Sequence, residues 1–409
     1  MTKYLTEGLA GTGGRIKDSL QDFLVREIPL YPASGSGTHT FFMIRKEGMT
    51  TFQAVERISS ELGVHPKSIG IAGIKDANAV SWQVLSVSGI PPERLMQLSL
   101  PGISVEWAKP HNHKLRIGHL SGNSFTIKIY GTASGALSSC QEILRVLSER
   151  GVPNYYGLQR FGGTHSRSIE VGKAMLVHGP EQFKQLIDAF LGAIPGKEES
   201  EDVRALRELY DAGKYNEALR AMPHGLSYER NALSALIESP DDFKRAWMSI
   251  PKRLKLFFIS ALQSHLFNKV LDERITTIDQ VFDGEIAMKN DNGACFKVTN
   301  QEEESARVKR FEISPTGPIF GYKMLQPEGM QGELERRALA SEGIGGLDAF
   351  KIGYGLSNKG ARRPLRFQLK DTTISESNEG ELVLSFTLPS GCYATTVLAE
   401  VMKTATKSQ

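Results

Sequence analysis

The rhythm of apolar and polar positions changes twice along the chain. In the first third, short extended runs alternate with helical spacing. Thr40 to Arg45 predicts a strand, and Phe52, Val55, Ile58 and Leu62 then recur at the spacing of a helix, with Thr51 placed to cap it and Gly63 to end it. Ile69 to Ile74 and Trp82 to Val87 predict strands around a polar loop that holds Lys75, Asp76 and Asn78. Phe125, Ile127 and Ile129 alternate with polar partners from Ser124 to Tyr130, the period of a half-buried strand. Leu137 to Leu147 is an amphipathic helix that stops near Gly151 and Pro153. From Pro180 to about Arg274 the spacing is almost wholly helical. Strand-like pieces return at Gly284 to Met288 and Ala294 to Val298, with Gln331 to Ala340 again helical. The end of the chain predicts strands at Leu365 to Leu369 and Leu382 to Leu388, then a helix from about Ala394 to Lys403.

Extended segments at both ends around a helical block predict an α+β domain made from both termini and carrying an inserted, mostly helical domain. A length of 409 residues suits two domains, and two domains side by side fit the pattern as well. Three widely separated cysteines, Cys140, Cys295 and Cys392, offer no paired spacing; a reducing cytoplasm is expected, with no disulfide framework and no cysteine-rich metal site. No apolar run reaches the length of a bilayer span, and no heptad seam is present, so a monomer away from membranes is expected.

A net charge of +3 does not by itself announce a polyanion. Its distribution says more. Lys351, Lys359, Arg362, Arg363, Arg366 and Lys370 fall in one stretch without an acidic residue. A second basic run holds Lys109, His111, His113, Lys114, Arg116 and His119, whereas Lys197 to Asp202 is acidic. Such patches suit a polyanion bound along one face, and scattered solvated charge explains them too.

Four clusters carry candidate chemistry. Asp76, at a strand end beside Lys75 and Gly73, is a carboxylate that could be kept ionised and aimed into a cleft; a turn-capping Asp has the same letters. Asn154 to Gly163 interleaves Tyr155, Tyr156, Gln159, Arg160 and Phe161 with glycines, as an RNA-facing loop or a packed domain junction would. Asn123 and Phe125 open a strand, where they could meet a base or simply pack. Tyr393 marks a strand-to-helix turn whose helix start could receive an anion, or which is plain turn chemistry. Other signals fail. His111-Asn112-His113 has no completing ligands and reads as a solvated pair. Gly11-Thr12-Gly13-Gly14 lacks the lysine of a phosphate loop, and no GxSxG elbow occurs.

Taken in order, Ile16-Lys17, Gln21 to Glu27, Ala72 to Asp76, Lys114 to Arg116 with Gly122 to Phe125, Asn154 to Gly162 and Leu388 to Thr395 resemble the TruD family of tRNA pseudouridine synthases. The resemblance runs nearly end to end and includes Ser260-Ala261 and Leu266 to Asn268. It implies a pseudouridine synthase-type catalytic domain around a mixed sheet, residues 1–163 and 345–409, and an inserted TRUD domain, residues 164–344. By matching position it implies that Asp76 is the nucleophile, that Phe23, Asn123, Phe125 and Tyr393 line the uridine site, and that Lys17 and Lys75 flank the aspartate. Lys114, Arg116, Arg160, Arg362, Arg363 and Arg366 are candidates for the RNA backbone. The implied activity is isomerisation of uridine to pseudouridine in tRNA, position 13 by the family's habit, with no cofactor and no metal. The chain departs from bacterial members in carrying Tyr rather than Phe at 393, and its helical stretch from about Gln185 to Trp247 looks longer, closer to archaeal and eukaryotic members. Another RNA position, a non-catalytic RNA-binding protein on the same scaffold, or another RNA-directed enzyme are the alternatives.

Overall fold

The computed structural model describes residues 3–162, 165–194, 199–377 and 380–404, without the side chains of residues 165 and 166. Gly163 of the aromatic loop, the expected 163/164 boundary and residues 197–198 of the acidic run lie outside them. Two compact units emerge. One joins Tyr4–Val152 to Phe367–Lys407; the other is chiefly Pro153–Arg366.

The first unit is built on a mixed nine-stranded sheet. Its main path runs Lys370–Glu376, Leu382–Pro389, Leu120–Thr132, Phe23–Pro29, Val80–Ser88, His39–Glu47 and Ile103–His111. Phe23–Pro29 and Val80–Ser88 run parallel and their neighbours antiparallel. Alternation along each strand places Phe23, Val25 and Glu27, Asn123, Phe125 and Ile127, Ser81, Gln83 and Leu85, and Phe42, Ile44 and Lys46 on one face. Two apolar cores cover that face. Val25, Ile127, Leu384 and Phe386 share one with helices Ala136–Arg150 and Ala394–Met402. Phe42, Ile44 and Leu85 share the other with helix Thr51–Leu62.

Local chemistry explains why these pieces form and where expectation missed. Helix Thr51–Leu62 is capped by Thr50, not Thr51: the Thr50 hydroxyl accepts from the Gln53 amide and the Gln53 side chain returns the bond, a capping box. Gly63, in the left-handed region at φ 69°, ends it as expected. Its buried stripe is Thr51, Val55, Ile58 and Leu62, and Phe52, expected inside, stands 55% exposed. The strand expected over Ile69 to Ile74 pairs at Gly70–Ile71 alone, and the strand at Leu365 to Leu369 shrinks to Arg366–Phe367. Gly122 is required by close approach: a Cβ there would lie 2.2 Å from the Leu388 carbonyl oxygen of the neighbouring strand.

The second unit gathers helices around Lys252–Arg274, a 23-residue helix whose Phe258, Leu262, Leu266 and Leu271 are buried. It also holds a four-stranded sheet ordered Cys295–Lys297, Ile286–Lys289, Ile313–Ile319 and Ala361–Pro364. The aromatic loop belongs to this unit: Tyr155 Oη donates to Asp272 at 2.6 Å and the Tyr156 amide to Asn268 at 2.9 Å. No helix among the described residues is long and apolar enough to cross a membrane.

Candidate active site

A row of polar side chains crosses four neighbouring strands on the helix-bearing face: Asn123, Glu27, Gln83 and Lys46. Burying such groups is costly unless they are partnered, and the segment Gly73 to Asp76 supplies the partners. The Gln83 side-chain amide donates to the Gly73 carbonyl. The Lys75 amide donates to Thr51 Oγ1 at 2.9 Å, and that hydroxyl donates to Gln83 Oε1 at 3.0 Å. Lys46 Nζ donates to the Asp76 carbonyl at 2.9 Å and to the Met49 carbonyl at 2.6 Å. The main chain is therefore fixed at residues 73, 75 and 76, while the side chain of Asp76 belongs to an exposed residue.

Charge is arranged around the same loop. Lys75 Nζ lies 3.1 Å from Glu27 Oε2, both side chains being almost wholly buried, and also donates to Asn123 Oδ1. Burial pushes the Glu27 carboxyl above its ordinary pKa, and Lys75 works against that rise. A lysine ammonium can only donate, so Asn123 turns its oxygen to Lys75. Its Nδ2 has no hydrogen-bond partner among the described residues. Lys46, 0% exposed, has its pKa lowered to about 8 by burial, with Asp76 opposing the drop and Lys75 adding to it.

Other expected residues fall at different distances from this core. The Phe23 and Phe125 rings are buried, edge to face at 6.2 Å, and Phe125 stacks on Phe386 at 5.4 Å. Lys17 sits in the left-handed region, φ 64°, and its ammonium lies 4.5 Å from the centre of the Phe23 ring. Tyr393 is 42% exposed, and its turn is tied beside Asn123 by a 3.1 Å bond from the Ser390 amide to the Ser121 carbonyl. The Lys114–Gly118 segment lies along the start of the loop, since the Gly118 amide donates to the Ala72 carbonyl at 2.8 Å. There Arg116 is exposed, while Lys114 is half-buried and donates to the Lys67 carbonyl.

Two basic candidates for the RNA backbone need correction. Arg362 is buried and paired with Glu335 at 2.7 Å, with further bonds to Thr316. Arg366 is 1% exposed, donates to the Val308 carbonyl and lies over the Phe311 ring. Both guanidiniums hold the second unit together and are out of reach of a phosphate. Arg363 is half-buried, 4.3 Å from the centre of the Tyr156 ring and bonded to Asn154 Oδ1. Arg160 remains exposed, near Ser260 and Ser264. His111 is likewise not solvated. It is buried, 3.9 Å from the Phe41 ring centre, with Nδ1 accepting from the Ser34 amide at 3.1 Å.

Sequence reasoning missed the supporting side chains. Glu27 lies in the segment Gln21 to Glu27, where nothing local gives it a role, and nothing local gives Lys46 or Gln83 one either. The available signal was polarity against period: Lys46 continues the inward face of Phe42 and Ile44, and Gln83 that of Leu85.

Comparison with known proteins finds relatives along the whole chain. Residues 1–401 match the model of the family described as tRNA pseudouridine synthase D (TruD). A tRNA pseudouridine synthase D of Geobacter metallireducens is 43% identical over 401 residues, 98% of each chain. A probable tRNA pseudouridine synthase D of Thermococcus onnurineus is 32% identical over 412 residues, 98% of this chain and 97% of that one. The bacterial relative is covered almost completely in both directions, so the helical stretch from Gln185 to Trp247 does not set the chain apart from it. The solved structure of a putative tRNA pseudouridine synthase D from Methanosarcina mazei superposes with a TM-score of 0.87 at 27% identity, covering 99% of this chain and 96% of that one. The chain belongs to the TruD family of tRNA pseudouridine synthases.

Proposed function

We propose that this protein isomerises a uridine of tRNA to pseudouridine, with Asp76 as the nucleophile and position 13 as the target. One observation carries the reading: a loop anchored by buried side chains at residues 73, 75 and 76 presents an exposed aspartate beside a buried lysine–glutamate pair. The reaction breaks the bond from ribose C1′ to uracil N1 and makes one from C1′ to C5, so nothing is oxidised or released and no cofactor is needed. A carboxylate that forms a covalent adduct divides that rearrangement into two easier steps. Asn123, held by Lys75, offers its amide donor to a uracil carbonyl. The uridine must leave its stack to be reached, and Tyr393, exposed in the turn that follows the strand paired with Asn123, would lie against it. The deciding experiment incubates purified protein with tRNA and maps pseudouridine by carbodiimide-directed reverse transcription. No pseudouridine overturns the reading; pseudouridine solely at other positions leaves the chemistry and overturns the site.

Two further outcomes test the RNA contacts. Tyr393→Phe is expected to leave the single-turnover rate nearly unchanged, and Tyr393→Ala to cost about 1–3 kcal/mol, the worth of one stacking contact. A hundredfold loss in Tyr393→Phe would assign the hydroxyl to proton transfer instead. Arg116→Ala is expected to weaken tRNA binding and to reduce the salt slope of log K by about one, as loss of one phosphate contact should. An unchanged slope removes Arg116 from the interface.

A further inference from the structure

We propose that Lys46 is a positioning residue for the isomerisation: its buried ammonium holds the main chain of Asp76 so that the carboxylate faces the reacting uridine. The proposal rests on the reading of Asp76 as nucleophile. Lys46 is fully buried, yet its ammonium is spent on two main-chain carbonyls, those of Met49 and Asp76. A fold that needed nothing more than a filled slot under Phe42 and Ile44 would place an aliphatic side chain there. Charge-assisted bonds to a carbonyl are about twice as strong as neutral ones; the one to Asp76 ties the loop to a strand 30 residues earlier in the chain, and the one to Met49 holds the ammonium in place from the turn after its own strand.

The charged groups that act on this ammonium are Asp76 and Lys75, both from the loop. Around it, the first turn of helix Thr51–Leu62 contributes Thr51 to the network and the adjacent strand offers Ser81 and Gln83, none of which titrates here. Arg45 and Glu47 of its own strand pair with each other. With the Lys46 pKa lowered to about 8, the anchor loses its charge on the alkaline side of neutrality. The folded protein then holds fewer protons than the unfolded chain between that value and the ordinary one for lysine, so this group makes the fold more stable as pH rises there. Titration of this group therefore does not unfold the chain over the range in which the rate is expected to fall.

The test is the single-turnover rate on tRNA from pH 6 to 9.5, with tRNA affinity measured alongside. In the wild type the rate is expected to fall about tenfold with a midpoint near pH 8, at unchanged affinity. Lys46→Met should lower the rate at pH 7 by about a hundredfold, with affinity within about threefold and faster amide exchange across residues 74–78. Lys46→Arg should restore part of the rate and abolish the alkaline fall. A Lys46→Met rate within threefold of wild type, or an alkaline fall that persists in Lys46→Arg, overturns the proposal. If neither variant folds, the wild-type profile decides: a flat rate to pH 9.5 overturns it, and a fall near pH 8 supports it. Wild-type protein that makes no pseudouridine would instead overturn the function, while the exchange measurement still reports whether Lys46 holds the loop.

Discussion

Asp76→Asn is expected to abolish pseudouridine formation, lowering the single-turnover rate by on the order of a thousandfold or more, while tRNA affinity and thermal stability stay near wild type. Asparagine keeps the shape of the side chain and removes the charge that would form the covalent adduct. The fold should not notice. Every bond that fixes this segment reaches its main chain or its neighbours: the Asp76 carbonyl, the Lys75 amide, the Gly73 carbonyl. A rate within about tenfold of wild type would mean that the nucleophile is another group.

Lys75→Met should act on both stability and chemistry. Removing the lysine leaves Glu27 buried without its counter-charge, and breaking one side of a buried pair costs about 3–5 kcal/mol. Because burial already holds the Glu27 pKa above its ordinary value, the folded form takes up a proton at higher pH than the unfolded chain does. Loss of Lys75 raises that pKa further. The destabilisation should therefore be full at pH 8 and shrink as the solution is acidified through the folded pKa. Glu27→Gln in the same background should recover much of the stability without recovering the rate, since Asn123 would still lack the donor that orients it. Denaturant unfolding at pH 8 and pH 5 measures the first effect; a deficit that does not change with pH would mean that Glu27 is not the group left exposed to the penalty.

What could be read from the sequence follows from where each residue's partners lie. Asp76 and Asn123 stand in short motifs with glycine neighbours, so their neighbourhoods are visible as text. The strands around them announce themselves by alternation. Lys46 does not, because its partners are main-chain atoms of a loop, and a lysine ending a run of Phe41, Phe42, Met43 and Ile44 looks like the point where a strand meets water. Arg362 and Arg366 misled for the opposite reason. They lie in a stretch with no acidic residue, and the carboxylate that neutralises Arg362, Glu335, is on a helix 27 positions earlier. Local charge counting sees patches; burial pairs charges across elements. Phe52 misleads by type: an aromatic at helical spacing predicts an inward position, whereas the helix turns its stripe by one residue, to Thr51.

The strand that carries Asn123 has a consequence for how the chain comes into being. Leu120–Thr132 is 13 residues long, and along its outer side it is matched residue for residue by Leu382–Pro389, about 260 positions later. A ribosome delivers the chain from the N-terminus, so every polar anchor of the Asp76 loop has been made long before that partner exists. Until it arrives, a long strand offers an open row of backbone donors and acceptors, the kind of edge along which other chains add. Helix Ala394–Met402 is made later still, and with it the apolar layer over Phe125 and Phe386. Nascent chains truncated before residue 382 would thus hold every polar anchor of the Asp76 loop on an unfinished sheet, and the sheet waits on Leu382–Pro389.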